Sequence, residues 1–314
     1  MEMMLRSGKA GENVLDRSVL KRIIEVYGKG ERITMSADPI TLPVSKIGEY
    51  AVHAAVNALS AEKILSESFR AVILLPPGTE ESLLREIMDQ ICRVCAALEV
   101  TVEGGHTEVT SAVTRPVVTG CCTGVPMLDS TGTDPGEDKG ADQIVMTKWA
   151  GMEGSAILAQ EREELREVFP ETLLHRMRKL SELLSVREEA LICAKEGAVY
   201  LTDLSDGGIY AALWKLSVKA GRGFRIDLGS IPVLQETIEF ANHYDIDPYK
   251  MRSMGSLLSV TRDADALIAQ LSQHGIPAVR IGELSQDRDK ILNNNGETRY
   301  LDLPQPDELL RIFE

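Results

Sequence analysis

The stretch Ala71–Leu98, AVILLPPGTEESLLREIMDQICRVCAAL, decides the fold of the N-terminal half of the chain. It opens with a short apolar run that is typical of a β-strand. The sequence Pro76-Pro77-Gly78 then ends the strand, because proline and glycine favour turns. Thr79 is predicted to be the N-cap of a helix that runs to about Leu98, with acidic residues in its first turn. The stretch therefore predicts a strand, a turn and a helix.

The same alternation continues on both sides of this stretch. Arg32–Ala37 is another β-like run, and Ile47–Leu59 has the apolar spacing of a helix. Two further β-like segments, Val100–Glu103 and Val109–Thr119, follow the second helix. The order strand, helix, strand, helix, strand, strand predicts one sheet with helices on a single face.

A polar segment in the middle of the chain separates two similar halves. Leu128–Gln143, LDSTGTDPGEDKGADQ, has the composition of a linker. Beyond it, strand and helix patterns alternate again, from Ile144–Thr147 to about Ile281. We therefore expect an α/β (α+β) protein with two domains, at residues 1–128 and 140–290, followed by a tail at residues 291–314.

The composition narrows the class of partner. The chain has 314 residues and a formal net charge of −14 at pH 7, so it repels nucleic acid and anionic membranes. Met1–Leu20 contains no long apolar core of the signal-peptide kind, and the apolar runs are too short to span a bilayer. We expect a cytoplasmic protein that binds neither nucleic acid nor membranes. The cysteines are Cys92, Cys95, Cys121, Cys122 and Cys193. We expect them to be buried thiols that pack as small apolar side chains, and a redox or metal-binding role is less favoured.

One candidate ligand-binding segment is Glu103–Glu108, with the sequence EGGHTE. A glycine pair lets a ligand approach the backbone closely and permits positive φ angles. His106, Thr107 and Glu108 add an imidazole, a hydroxyl and a carboxylate, and Mg²⁺ favours oxygen ligands of this kind. The segment is compatible with a rim for phosphate and Mg²⁺, and also with a hairpin turn whose polar residues are solvated. Spacing alone favours the turn.

A second candidate is Asp38, which ends the first β-like run. The following Pro39 restricts Asp38 to an extended conformation. Open sheets usually hold ligand groups at the carboxyl ends of their strands. Taken alone, an ordinary Asp-Pro turn explains the pattern better.

Two glycine-containing turns in the C-terminal half precede helical patterns. Asp203–Gly208, DLSDGG, lies between a strand and the predicted helix Gly208–Ala220, and Thr147–Gly154 has the same local arrangement with Lys148 added. The first turn of a helix presents free N–H groups and a positive dipole to an anion. Both turns are equally compatible with ordinary helix starts, and neither has the GxxxxGKS/T or GxGxxG pattern of a phosphate-binding loop.

Six segments, in this order, resemble the AIR synthase/HypE (PurM-like) superfamily over roughly Gly8–Leu284, and most of all its HypE-like and AIR synthase-related branch. They are SADPITLP, IGEYAVHAAVNALSA, ILLPPGTEESLLREIMDQI, EGGHTEVT, TKWAGMEGSAILA and SDGGIYAAL. The resemblance implies an N-terminal domain that forms a homodimer through its sheet, a C-terminal α/β domain, and a site for ATP and Mg²⁺. It also implies phosphorylation of an amide or carbonyl oxygen of a substrate, for dehydration or ring closure.

The resemblance assigns roles to individual residues. Asp38 matches an aspartate that holds Mg²⁺ and phosphate, and Thr107 and Glu108 join it as candidate catalytic residues. The segment around Asp38 and the glycine pair before His106 are expected to converge around a triphosphate. The candidate nucleotide-binding positions are Lys9, Asn57, Gly104, Gly105, His106, Asp206, Gly207 and Gly208.

The chain departs from the family pattern at positions that bear on the metal. Ala58 replaces the aspartate that follows Asn57 in the family's N-D motif, and His106 stands where many relatives carry aspartate. Because Mg²⁺-ATP needs carboxylates, these changes are expected to weaken metal binding. Two alternatives therefore stand beside an ATP-dependent enzyme acting on a small molecule or protein. They are a non-catalytic member that binds a nucleotide or partner, and a HypE-like accessory of nickel–iron hydrogenase maturation that lacks the C-terminal cysteine.

Overall fold

The computed structural model of the chain describes residues 24–28, 31–128 and 142–313, with side chains from residue 34 onward. Contacts between residues divide the chain into two units. The first contains residues up to Leu59 together with Ile64–Val125, and the second contains Ser60–Lys63 and the chain from Pro126 onward. The predicted site residue Lys9 and most of the predicted linker lie outside the described residues.

The first unit is built on one sheet and two helices within the described ranges. Its elements are β1 (Ile24–Gly28), β2 (Glu31–Ile40), α1 (Ile47–Ser60), β3 (Ile64–Leu75), α2 (Glu81–Ala97), β4 (Thr101–Val109) and β5 (Val117–Pro126). The strand order is β1-β2-β5-β3-β4. β2 pairs antiparallel with β1 and β5, whereas β3 and β4 are parallel and α2 connects them.

α1 and α2 cover the same face of this sheet. The N–H of Gly48 in α1 donates to Gln90 Oε1 of α2 at 2.9 Å, and Ser36 Oγ of β2 donates to the carbonyl of Ala55 in α1 at 2.7 Å. The apolar side chains between sheet and helices are almost completely buried, and they include Ala51, Val52, Val56, Leu59, Phe69, Ile73, Ile87 and Ile91. The predicted layer of helices on one sheet face is confirmed.

Two local predictions in the first unit are wrong. Thr79 is not the N-cap of α2: its hydroxyl donates to the carbonyl of Pro76 at 2.7 Å, and the helix begins one residue later than an N-cap at Thr79 requires, after Glu80. The stretch predicted as a turn around the glycine pair is the middle of β4, because this segment pairs with β3 on both sides of a register shift between Val102 and Gly104. The chain reverses later, between β4 and β5.

The second unit is a larger sheet with helices on both faces. Its strands are β6 (Gln143–Thr147), β7 (Tyr200–Asp203), β8 (Phe224–Asp227), β9 (Leu257–Thr261), β10 (Ala278–Leu284), β11 (Lys290–Asn294) and β12 (Glu297–Tyr300). Its helices are α3 (Met152–Glu161), α4 (Leu165–Val168), α5 (Glu171–Arg178), α6 (Arg187–Lys195), α7 (Gly208–Ala220), α8 (Gln235–Tyr244), α9 (Ala264–Gln273) and α10 (Leu310–Phe313), with 3-10 turns at Lys179–Leu183, Leu228–Ser230 and Pro248–Lys250. The strand order is β12-β11-β8-β10-β6-β9-β7, and β8 and β11 form its parallel pair among the described pairings.

The interior strand β6 shows why both faces of this sheet are covered. Ile144 and Met146 pack in a core with Leu213 of α7, whereas Val145 packs in a separate core with Leu267 of α9. Successive side chains of a strand point to opposite faces, so an apolar run such as β6 requires two cores. Residues 291–314, expected as a tail, supply most of β11, all of β12 and the helix α10.

The structure tests two expectations from the sequence, that the cysteines are buried and that no segment spans a membrane. Cys95, Cys122 and Cys193 are buried as expected, whereas Cys92 is exposed. Burial raises the pKa of the Cys95 and Cys193 thiols to about 12, so these thiols stay protonated and unreactive near neutral pH. In the part of the chain that the structure describes, no helix has the length and apolar character needed to cross a membrane.

Candidate functional site

The glycine pair lies in β4, at the edge of the first unit's sheet. Gly105 pairs with Ala71 of β3, and a Cβ atom at this position would lie 1.9 Å from the Ala71 carbonyl oxygen. Close approach of the two strands therefore requires glycine there. Gly104 is different: its φ is +137°, and a Cβ atom would meet nothing within 4 Å. Packing does not explain glycine at position 104. The pairing of β4 with β3 shifts register there, from Val102 opposite Phe69 to Gly104 opposite Arg70, and a β-bulge of this kind accommodates a positive φ.

The side chains after the glycine pair point to two faces of the sheet. Thr107 pairs with Ile73, which is buried beneath the helices, so its hydroxyl lies on the helix-covered side. His106 and Glu108 lie on the opposite side, where His106 Nε2 is 3.6 Å from Glu108 Oε2 and both side chains are more than half exposed. The structure therefore separates Thr107 from His106 and Glu108, which the sequence placed on one rim.

Asp38 lies near the end of β2, on the helix-covered side of the same sheet. It pairs with Gly120 of β5, and a Cβ atom on Gly120 would meet the carbonyl oxygen of Ala51 in α1 at 2.4 Å. β5 and β3 lie between β2 and β4, so three strand spacings of about 4.8 Å separate Asp38 from Gly104. Within one chain, Asp38 shares a face with Thr107, but the glycine pair lies about 14 Å away across the sheet.

The position of Asn57 limits what its side chain can contact. Asn57 lies in α1 with no exposed surface, and Ala58 beside it is also buried. Its amide is therefore part of the core of the first unit. A contact between Asn57 and a nucleotide stays a prediction.

In the second unit, the turn Ser205–Gly208 has the conformation expected of a helix start that binds an anion. Gly207 and Gly208 have φ angles of +75° and +61°, in the left-handed region that favours glycine. The N–H of Gly207 donates to Asp307 Oδ2 at 2.8 Å. The group that accepts from this helix start is thus a carboxyl group of the chain itself, supplied from 100 residues further along the sequence.

Asp307 begins a segment that packs over this turn, and we call residues 307–313 the C-terminal strap. Asp307 Oδ1 also accepts a hydrogen bond from the N–H of Leu309 at 3.0 Å. Leu309 is completely buried and lies against Gly154 of α3. Burial raises the pKa of the Asp307 carboxyl to about 7, although the positive charge of Arg252 opposes the rise. Sequence patterns gave no signal for this contact, because its partners are remote in sequence.

The second glycine-containing turn, at Thr147–Gly154, does not leave its lysine free for an anion. Lys148 Nζ donates to the carbonyls of Leu183 and Ser185 at 2.9 and 2.8 Å and lies 2.5 Å from Glu189 Oε1. Both charged side chains are buried. Lys148 is therefore a structural cation that ties the segment after β6 to the start of α6.

The acidic side chains present determine what kind of metal ion could be held. In the described ranges, no three His, Cys, Asp or Glu side chains gather closely enough to hold a metal ion. Mg²⁺ in nucleotide sites usually keeps several waters and binds one or two carboxylates together with phosphates. Asp38 in the first unit is a single carboxylate of that kind, whereas Asp206 in the second unit is paired with the Arg252 guanidinium at 2.5 Å. The donor set fits an ion that arrives with a nucleotide and does not fit a cage made of protein alone.

Comparison with protein families covers both units. Residues 16–126 match the family described as AIR synthase related protein, N-terminal domain, and residues 141–293 match AIR synthase related protein, C-terminal domain. Among curated proteins, carbamoyl dehydratase HypE of Rhodobacter capsulatus is 26% identical over 262 residues, which cover 79% of this chain and 73% of that protein. The two matched ranges correspond to the two units of the structure.

Solved structures resemble the whole described fold. E. coli HypE, a hydrogenase maturation protein, superposes with a TM-score of 0.74 at 18% identity and covers 88% of this chain and 87% of that one. A structure of the hydrogenase maturation protein HypE in complex with ATP gives a TM-score of 0.72 at 18% identity, with 92% and 90% covered. At this identity the likeness shows a shared two-domain fold.

Proposed function

The chain belongs to the AIR synthase-related family, and from that membership we propose that it is an ATP-dependent enzyme that phosphorylates an amide or carbonyl oxygen of its substrate. The similarity to a carbamoyl dehydratase supports one specific reaction of this kind, the dehydration of a carbamoyl-type amide. That relative is named for an enzymatic activity and matches most of the chain, which favours an enzyme over a non-catalytic binding protein.

The proposed reaction has two balanced steps. The amide oxygen attacks the γ-phosphorus of ATP, the bond to the β-phosphate oxygen breaks, and ADP leaves. The O-phosphorylated amide then loses inorganic phosphate and both protons of its NH2 group, which gives a nitrile; in ring closure an internal nucleophile displaces the phosphate instead. Catalysis of phosphoryl transfer depends chiefly on positioning and on stabilising charge. Mg²⁺ would supply charge neutralisation, and Asp38 is the candidate residue in the first unit to hold it.

The observation that carries the proposal is the backbone at Gly104. Gly104 takes its positive φ at a β-bulge in the exposed edge strand, where the pairing with β3 skips Glu103. Bulges are over-represented next to active sites, where they redirect backbone groups, and we infer that the backbone here meets phosphate oxygens. Thr107, three residues further on, can donate its hydroxyl from the helix-covered side. Glu108 and His106 would act from the other face, where Glu108 is the candidate base for a substrate proton.

Calorimetric titration with ATP in the presence of Mg²⁺ tests the proposal. We expect binding to the wild-type chain and about tenfold or greater weakening in Asp38→Asn, since a contact to a charged group contributes about 1.5–3 kcal/mol. Asp89→Asn, an exposed carboxylate change on α2, is the control and should bind like the wild type. Absence of ATP binding to the folded wild-type chain at millimolar concentration would overturn the proposed function.

We further propose that two copies associate through the uncovered face of the first unit's sheet. α1 and α2 occupy one face, and the other carries half-buried apolar side chains such as Val72, Leu74 and Cys121. An apolar face of this kind favours association. Light scattering should give twice the chain mass of 34.4 kDa, and Leu74→Glu should shift the protein to the monomer. A monomeric wild type at micromolar concentration would contradict this arrangement.

A further inference from the structure

The strand β12 forms an open edge of the second unit's sheet. It pairs with β11 on one side, and no described strand pairs with its other side. All of its side chains, Glu297–Tyr300, are exposed. An open edge can pair with another strand, and natural proteins often block such edges with proline, lysine or a β-bulge. β12 is short, but it contains none of these three features.

The pairing with β11 determines which backbone groups of β12 face outward. The N–H of Leu301 donates to the carbonyl of Lys290 at 2.8 Å. In an antiparallel pair, residues that exchange hydrogen bonds alternate with residues that do not, so the backbone groups of Arg299 and Glu297 also face β11. The N–H and carbonyl of Thr298, which lies between them, therefore point away from the sheet.

Glu297 and Arg299 present opposite charges on one face of this strand, because alternate side chains of a strand share a face. Arg299 Nη2 donates to the Tyr210 hydroxyl of α7 at 2.5 Å, and its guanidinium carbon lies 5.8 Å from the centre of the Tyr210 ring. This contact uses one of the five N–H donors of the guanidinium and holds the group in place. Within the described ranges, neither Glu297 nor Arg299 forms an ion pair.

Two copies of β12 complement each other when they run antiparallel about a two-fold axis at Thr298. The outward N–H and carbonyl of Thr298 then exchange hydrogen bonds with those of Thr298 in the second copy. Glu297 of each copy lies opposite Arg299 of the other, in a pair whose Cα atoms are about 4.5 Å apart. Opposite charges in such pairs attract. An axis at Tyr300, the next residue with outward groups, would instead place Arg299 opposite Leu301.

The same register brings an exposed ring to an open glycine. Tyr300 of one copy lies opposite Gly296 of the other, at the turn of the β11–β12 hairpin. The Tyr300 side chain is 64% exposed, and a Cβ atom on Gly296 would meet nothing within 4 Å, so there is room for a ring beside the glycine. An aromatic side chain across from an edge glycine covers its backbone. Apolar contact thus adds to the charge pairs.

We propose that β12 is an association surface for a second copy of this chain, which joins two seven-stranded sheets edge to edge about Thr298. The interface is isologous, because each copy contributes the same residues. It lies in the second unit and does not depend on the proposed enzymatic function. Strands of four residues bury little surface, so we expect a weak contact with a Kd of about 10 μM to 1 mM.

Sedimentation velocity of the full chain between about 10 μM and 1 mM measures this association. The mean mass of the wild type should rise with concentration. Thr298→Pro should weaken the association about tenfold or more, because each copy loses an outward N–H while the pairing with β11 is kept. Thr298→Ala keeps that N–H and is the matched control, so it should associate like the wild type. A wild-type mass that does not rise, or an equal rise in Thr298→Pro, would overturn the proposal.

The same measurement in Leu74→Glu separates this contact from the one proposed for the first unit. The rise of mass with concentration should persist in that variant and should again be lost on adding Thr298→Pro. Loss of the rise in Leu74→Glu alone would assign the association to the first unit and would overturn the role of β12.

An exchange of charges tests the register. Glu297→Arg places like charges opposite each other in two copies, and Arg299→Glu does the same with the opposite sign, so each variant alone should associate about tenfold more weakly. In an equimolar mixture the two basic positions of one variant face the two acidic positions of the other, and association should recover. A mixture no stronger than its components would overturn the proposed pairing. If Arg299→Glu does not fold without its Tyr210 contact, the comparison of Thr298→Pro with Thr298→Ala decides the proposal.

Discussion

Replacing Gly208 by alanine is expected to destabilise the second unit by about 2–5 kcal/mol, because the new methyl group meets backbone on two sides. Gly208 is the first residue of α7, with φ of +61°. A Cβ atom there would lie 2.5 Å from the carbonyl oxygen of Tyr249 and 2.6 Å from that of Met251. Neither oxygen belongs to a flexible side chain, so relief requires movement of the 249–251 backbone or of the helix.

Gly221→Ala at the other end of the same helix is the matched control for this prediction. Gly221 has φ of +66°, but a Cβ atom would meet nothing within 4 Å. The control therefore reports the left-handed conformation alone, at about 1–2 kcal/mol. Urea unfolding of both variants measures the difference. Equal losses in the two variants would show that the close approach to residues 249–251 does not stabilise the unit.

Local sequence signals predicted the framework because they are carried by neighbouring residues. The periodic pattern of α2 predicts that helix to within a residue or two at each end, and the helix Gly208–Ala220 has its predicted bounds. The apolar run Ala71–Leu75 is only the last part of β3, which begins at Ile64. The glycine pair was assigned to a turn because glycine favours turns. Pairing with β3 decided otherwise, since Gly105 is where β4 approaches the Ala71 carbonyl too closely for a side chain.

The candidate site was less accessible to sequence reasoning, because its contacts join remote segments. The turn before α7 was recognised from its glycines, yet Arg252 and Asp307, which hold it, carry no local pattern. Asp38 and Gly104 were expected to converge, and the strand order places β5 and β3 between them. Strand order depends on tertiary pairing, and no periodicity within either segment encodes it.

Stability of the chain is expected to depend on pH through Asp307. Its pKa in the folded chain is raised to about 7 from an ordinary value of 3.8, mainly by burial and with Asp206 adding to the rise. The folded state therefore holds this proton to higher pH than the unfolded chain does. The stabilising contribution of the protonated group is complete below about pH 4, is lost as the pH rises to about 7, and stays lost above that.

Asp307→Asn should remove this dependence, because asparagine does not ionise. We compare the free energy of unfolding of the variant with that of the wild type at each pH. The variant value minus the wild-type value should increase by up to about 1.4 kcal/mol per pH unit between pH 4 and 7, and this difference should stay constant above pH 7. At pH 5 the variant should be the less stable protein, since its amide nitrogen cannot accept one of the two N–H donors. By pH 8 the accumulated difference, up to about 4 kcal/mol, should reverse that order.

Leu309→Ala separates titration of the strap from simple loss of its packing. Leu309 is completely buried two residues beyond Asp307, and its truncation should cost about 2–5 kcal/mol. That loss should be the same at every pH, since no ionising group is changed. Urea unfolding of both variants and the wild type from pH 5 to 8, with chelator present, makes the comparison. A constant difference between Asp307→Asn and the wild type over this range would mean that Asp307 is already ionised at pH 5. Hydrogen bonds from Gly207 and Leu309 would then outweigh burial in setting its charge.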